Sequence, residues 1–261
     1  MPLSGAIAQQ RNVETIANNV ANANTPGFKK DQLAFKEYLA DVEKNNPDVN
    51  LPTKEWKPED FYRSYNSEDS FVKIDGTYTN HEQGQLLPTG NSFDNAINGL
   101  GFFEIQTPNG NRYTRKGNFS INKEGLLVTD QGYPVLSKKQ ESKDATDRTI
   151  KVNSGKLSIS LDGQVFSGEN KVSDLSLVEF NDIHALKKEG NSLFINPNQE
   201  NIKNDNSKTS VHQGFIEQSN VNAIGEMSSL INANRNFETI QRAIKTYDSM
   251  SGKAVNEISK F

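Results

Sequence analysis

Between Val221 and Phe261 the sequence repeats every seven residues. Leu230, Phe237, Ile244, Ser251 and Ile258 make one row, and Ala233, Ile240, Tyr247, Ala254 and Phe261 follow it three residues later. Two rows offset by three form a helical seam of the kind that packs against another helix. No proline follows Pro197 to break it. At a rise of about 1.5 Å per residue, roughly forty residues would make a helix about 60 Å long. A stripe of that length exceeds what one small domain covers, so it needs a partner.

The N-terminus carries a second stripe. Leu3, Ile7, Val13, Ile16, Ala17, Val20 and Ala21 lie near one helical face, and the pattern stops at Asn24-Thr25-Pro26-Gly27. Pro26 disfavours helix at Thr25, and Gly27 accepts the positive φ of a turn. Asparagine is only a middling helix former. Five asparagines here (Asn12, Asn18, Asn19, Asn22 and Asn24) therefore imply contacts that offset their propensity.

The stretch between the two ends reads differently. Phe35, Tyr38, Leu39 and Val42 predict a short helix reaching Asn45-Asn46-Pro47. Pro47, Pro52 and Pro58 then alternate with Trp56, Phe61, Tyr62, Tyr65 and Phe71, an extended connector with too many large apolar residues for a free linker. From about Asn80 the period falls to two. Short strands at Phe102–Ile105, Phe119–Ile121, Leu126–Val128, Leu157–Leu161, Val165–Phe166 and Leu175–Phe180 are divided by turns such as Thr107-Pro108-Asn109-Gly110 and Asp162-Gly163. The polar runs Lys138–Arg148 and Asn196–Ser210 read as exposed loops. The fold class is thus α+β. Residues 1–35 and 215–261 form a terminal helical, coiled-coil-like domain, 36–80 a connector, and 81–214 a β-rich outer domain.

Chemistry is scarce. A net charge of −4 and a pI near 5.5 argue against nucleic acid or an anionic membrane as the main partner. No cysteine is present for disulfides or thiolate metal sites. No apolar run approaches the eighteen or so residues of a bilayer span, and MPLSGAIAQQ lacks the regions of a secretory signal. His81, His184 and His212 are far apart in sequence and read as ordinary surface or loop residues. Asn98-Gly99-Leu100-Gly101-Phe102 lacks the third glycine and the helix of a dinucleotide site. Asp94, Glu104 and Glu124 read as solvated, and Tyr113-Thr114-Arg115-Lys116 as a small basic spot on a strand edge. No catalytic residue, cofactor or metal is expected.

Several segments resemble one family. Ile16 to Lys29, IANNVANANTPGFK, is similar to the N-terminal signature of the axial proteins of the bacterial flagellum, the rod and hook proteins. Glu217–Asn222 (EQSNVN), Glu226-Met227 and Arg235–Glu238 (RNFE) resemble their C-terminal signature. Thr89–Asn91, Asp94–Phe103, Tyr113–Arg115 and Gly125–Val128 resemble the rod-protein core. The resemblance covers most of the chain outside roughly residues 40 to 75, and favours the rod, in its proximal type, over the hook. Such proteins carry several more residues before the segment matching Leu3–Ile7, so the first helix is expected to lose a turn or to start upstream of Met1.

The resemblance implies a non-enzymatic structural subunit of the basal-body rod, crossing the periplasm. It implies passage through the flagellar type III export apparatus without a cleaved signal or membrane insertion. Partners would be copies of itself and other rod proteins, met through terminal helices that are disordered alone. The expected assembly interface is Ile7, Val13, Ile16, Val20, Leu230, Phe237, Ile240, Ile244, Tyr247 and Ile258, with Asn18, Asn19 and Asn22 fixing register. The alternatives are a distal-rod or hook-type subunit, a β-rich surface-binding module and an exported cell-wall enzyme. The last two would survive trimming of both ends.

Overall fold

The computed structural model describes residues 2–39, 70–138, 148–152, 157–203 and 209–258. Contacts divide the chain into two compact units. One comprises Met1–Asn18, Asp31–Tyr78 and Ile224–Phe261, the other Asn19–Lys30 and Thr79–Ala223. The architecture is α+β, with a β-rich centre and a helix at each end.

In the first unit, α1 (Pro2–Ala21) ends where Asn24-Thr25-Pro26-Gly27 was expected to stop it. The second helix, α2 (Ala223–Ile258), runs 36 residues without a break. Glu226 in its first turn complements the positive helix end. β1 (Asp31–Leu39) and β2 (Ser70–Thr79) pair as a two-stranded ribbon. This corrects the helix expected around Phe35–Leu39. Its apolar spacing suited a helical face, but a partner strand rich in Thr, Val, Ile and aromatics outweighs a weak local preference. The proline and aromatic run of the expected connector, and the middle of the Lys138–Arg148 run, lie outside the described residues.

In the second unit the start and end of the body pair with each other. β3 (Leu86–Pro88) joins β17 (Phe215–Glu217), and β4 (Asn95–Asn98) joins β16 (Ser210–Gln213). β5 (Phe102–Thr107) and β6 (Gly110–Thr114) form a hairpin closed at Thr107 and Gly110, as the turn chemistry predicts. β7 (Phe119–Ile121) pairs with β8 (Leu127–Thr129). β9 (Leu157–Ile159), β10 (Gln164–Ser167) and β11 (Asn170–Asp174) make a three-stranded sheet turning at Asp162-Gly163. The largest sheet has six strands in the order β13-β14-β6-β5-β12-β15, where β12 is Leu177–Phe180, β13 Lys187–Glu189, β14 Leu193–Ile195 and β15 Ile202–Lys203.

Phe102 and Phe103 are both fully buried because successive strand residues face opposite ways. Phe103 and Ile105 join a core with Ile97, Leu127, Val135, Ile150 and Val165. Phe102 joins Tyr113, Val178, Leu186 and Phe194. The rings there meet edge to face, Phe102 with Phe180 at 5.6 Å and Tyr113 with Phe180 at 4.9 Å.

Some polar residues expected in solvent are inside. Glu104 is buried, accepting from Asn111 Nδ2 at 2.8 Å and Ser176 Oγ at 2.6 Å and pairing with Arg148 at 2.5 Å. Asp94 is buried as well, accepting from Thr89 Oγ1 and Asn118 Nδ2; Glu124 is exposed. Burial removes water from both carboxylates, so donors from other parts of the chain take its place. The described part of the Asn196–Ser210 run contributes β15, anchored by Asn201, whose side chain bonds both backbone groups of Asp182.

Gly117 is squeezed: a Cβ there would sit 1.6 Å from the Asn95 carbonyl oxygen. Gly117→Ala should therefore destabilise the protein by about 3 kcal/mol, the upper end for forced overpacking, measured by urea unfolding. Gly252→Ala on α2, with nothing within 4 Å, should instead raise helix content in circular dichroism.

Candidate functional site

The helical unit is the first place to look. Along α2, Glu226, Leu230, Ala233, Phe237, Ile240 and Ile244 are buried or half-buried at spacings of four and three. Along α1, Ala6, Gln9, Val13, Ile16 and Val20 repeat the same rhythm. Gln9 Nε2 donates to the Ala233 carbonyl at 3.1 Å, which sets the helices side by side. Of the residues expected at the interface, Val13, Ile16, Val20, Leu230, Phe237, Ile240 and Ile244 thus lie on half-buried faces. Ile7 and Tyr247 are 52% and 69% exposed; the Ile258 side chain is outside the described residues. Ile224, Met227, Ile231, Met250 and Val255 are also exposed along α2.

Asn19 is buried, Asn22 half-buried and Asn18 exposed. Asn22 helps to close the turn after α1. Its N–H donates to the Asn19 carbonyl at 3.2 Å, and its side-chain oxygen accepts from Thr25 Oγ1 at 3.2 Å.

The second unit holds a buried charge cluster that sequence reading missed. Lys29 and Glu217 have no exposed side-chain surface, and their ion pair measures 2.6 Å. Arg115, 1% exposed, reaches the other Glu217 oxygen at 3.4 Å. Arg115 is therefore not a basic spot on a strand edge: it directly follows β6, an inner strand of the six-stranded sheet, and its side chain is buried. Lys29 Nζ also donates to the Glu82 carbonyl at 2.7 Å, and Arg115 Nη2 to that of Gly99 at 2.8 Å. The Arg115 guanidinium sits 4.8 Å over the Phe102 ring. Burial pulls Lys29 and Arg115 below their usual values, and Glu217 opposes the shift in both.

Gly27 opens this corner. Its φ is +67°, and a Cβ there would lie 2.6 Å from the Lys116 nitrogen. Its N–H donates to the Glu217 carbonyl at 2.8 Å. Asn220 completes the junction, accepting from Lys30 N–H at 2.8 Å and donating to the Asn80 and Glu82 carbonyls. Lys188 caps Phe28, its Nζ 3.8 Å from the ring and donating to the Lys29 carbonyl.

His81 and His184 are not far apart in space: their rings meet at 6.0 Å. His81 also packs on Phe102 and Phe194, and its buried Nδ1 has no hydrogen-bond partner. Burial holds its pKa down to about 4, helped by Lys29, His184, Arg115 and Lys188. Among the described residues no three metal-capable side chains converge, and no helix is long and apolar enough to cross a membrane. Apart from His81 Nδ1 and Arg115 Nε the charged and amide groups of the cluster bond one another or the backbone, so this junction holds chain segments together.

Comparison with known proteins agrees in all parts of the chain. Residues 3–29 match the family described as flagella basal body rod protein, and residues 96–167 the D1 domain of the flagellar hook protein FlgE/F/G. Residues 212–257 match the C-terminal region of the flagellar basal body rod FlgEFG proteins. The chain is 33% identical to the flagellar basal-body rod protein FlgF of Caulobacter vibrioides, the alignment covering 99% of this chain and 96% of the relative. It is 32% identical to FlgF of Rhizobium meliloti (98% and 95% covered) and 33% identical to FlgG of Agrobacterium fabrum (95% and 94%).

His81 yields a pH test. An unfolded histidine takes its proton near pH 6.5, whereas folded His81 does so only at about 4. The unfolded chain binds the extra proton in that window, so stability should fall as pH drops from 6.5 to 4. His81→Leu should flatten that slope in urea midpoints measured across the window.

Proposed function

This chain belongs to the flagellar basal-body rod protein family, is most like the members named FlgF, and is a structural subunit of that rod; we propose that it polymerises through α1 and α2. In this reading the two helices form the assembly domain, with Ile7, Val13, Ile16, Val20, Leu230, Phe237, Ile240, Ile244, Tyr247 and Ile258 meeting other copies and other rod proteins as a coiled coil. Asn18, Asn19 and Asn22 fix the register. The β-rich body forms the outer layer of a torque-transmitting shaft around an export channel. The subunit reaches the rod unfolded through the type III export apparatus, crosses the periplasm with it, occupies its proximal part, and has no catalytic task.

One observation carries this reading. Ile224, Met227, Ile231, Tyr247, Met250 and Val255 are each at least half exposed along a single unbroken helix. Burying such a side chain contributes about 1.5–3 kcal/mol, and several on one element reward association even after the cost of ordering helices.

Ile231→Glu and Tyr247→Glu test it, because both side chains are exposed in the lone chain. Unfolding midpoints of the purified protein should stay within about 0.5 kcal/mol of the parent. In cells the variant should be missing from isolated basal bodies, and swimming should be lost. Normal basal bodies with both substitutions present would refute assembly through the exposed face of α2.

A further inference from the structure

Chain segments that lead toward α1, β1, β2 and α2 converge on one place in the β-rich unit. Gly27–Lys30 follows α1 and continues into β1; Asn80–Gly84 follows β2; Glu217–Asn220 precedes α2. Side chains tie them together beside the β3–β17 pairing, in which Glu217 lies opposite Leu86. Lys29 joins Glu82 and Glu217, Glu217 Oε1 also accepts from Gly84 N–H at 3.0 Å, and Asn220 joins Lys30, Asn80 and Glu82. Backbone bonds add Gly27 to Glu217 and Asn80 to Lys30, each 2.8 Å. Arg115 and Gly99 fasten the group to the body beside β5 and β6.

We propose that Lys29, Arg115, Glu217 and Asn220 form a positioning clamp that fixes the relative register of these exits in the lone subunit, before it meets another copy. This rests on the reading that the terminal helices polymerise, and adds that their starting points are set in advance. An apolar plug could fill the same space. It would not fix register, because only directional bonds between charged or amide groups are lost when one segment slides by a residue. Gly27 limits sliding further, since no side chain fits against Lys116. The clamp also places Gly27–Lys30 and Glu217–Asn220 in the ordered body of the free protein. The helices beyond them have only each other's partly buried faces to rest on, and so less to hold them than the body has.

Hydrogen exchange on the dilute full chain tests this. In the parent, the amides of Gly27, Lys30, Asn80, Gly84 and Gln218 should exchange as slowly as those of the β5–β6 hairpin. Glu217→Gln should speed them at least tenfold and leave the hairpin amides unchanged. Asn220→Ala removes three bonds without touching a charge. It should free the Lys30 amide and lower incorporation into basal bodies at an unchanged unfolding midpoint, even if Glu217→Gln proves too unstable to purify. Parent amides as fast as the end of α2 would overturn the clamp, as would acceleration spread evenly over the whole chain. Exchange is read on unassembled protein, so it stands apart from the polymerisation result at Ile231 and Tyr247.

Discussion

A carboxylate shared between an ammonium and a guanidinium, all three out of water, holds the β-rich body at the point where the chain's ends arrive. Removing such ions from solvent costs several kcal/mol each, and attraction compensates only when geometry is good and remaining donors are satisfied. Glu217 divides its oxygens between Lys29 and Arg115. Backbone carbonyls of Glu82 and Gly99 take further protons, and the Phe102 ring lies under the guanidinium. Only Arg115 Nε among the cluster's buried side-chain atoms lacks a partner. The Glu104–Arg148 pair solves the same problem elsewhere with Asn111 and Ser176. The body thus uses buried polar contacts at defined points, while Phe103, Ile105 and their neighbours supply the bulk of its apolar packing.

The helices follow a different logic. Their inward faces are in large part only half-buried, and Gln9 links them by a side-chain bond to a backbone carbonyl. On the proposed reading such a protein has uneven local stability, with termini that open more readily than the body. That division suits a subunit of a polymer. In the proposed assembly the helices meet neighbours, and the packing of the body does not depend on them.

What could be read from the sequence was what depends on nearby residues. The Thr107–Gly110 and Asp162-Gly163 turns, the stop after α1 and the 36-residue α2 follow from local chemistry and period. The Phe35–Leu39 strand did not, because its partner begins thirty residues further on and that pairing overrides local preference. Lys29 and Glu217 stand 188 residues apart, and no periodicity marks either as buried. They could be found only as members of the family signatures, which quote Lys29, Arg115 and Glu217 without saying why. The charges of Glu104 and Asp94 misled in the same way, since a formal charge reads as a surface residue until its distant donors are known.

The complete enclosure of the Lys29 side chain has a practical consequence. Only a neutral amine that solvent can reach attacks an acylating reagent and displaces its leaving group, and Lys29 offers neither exposed surface nor a free lone pair while it donates to Glu217 and the Glu82 carbonyl. Its modification would therefore register each opening of that corner, turning one native amine into a chemical footprint of the transient state without any inserted label.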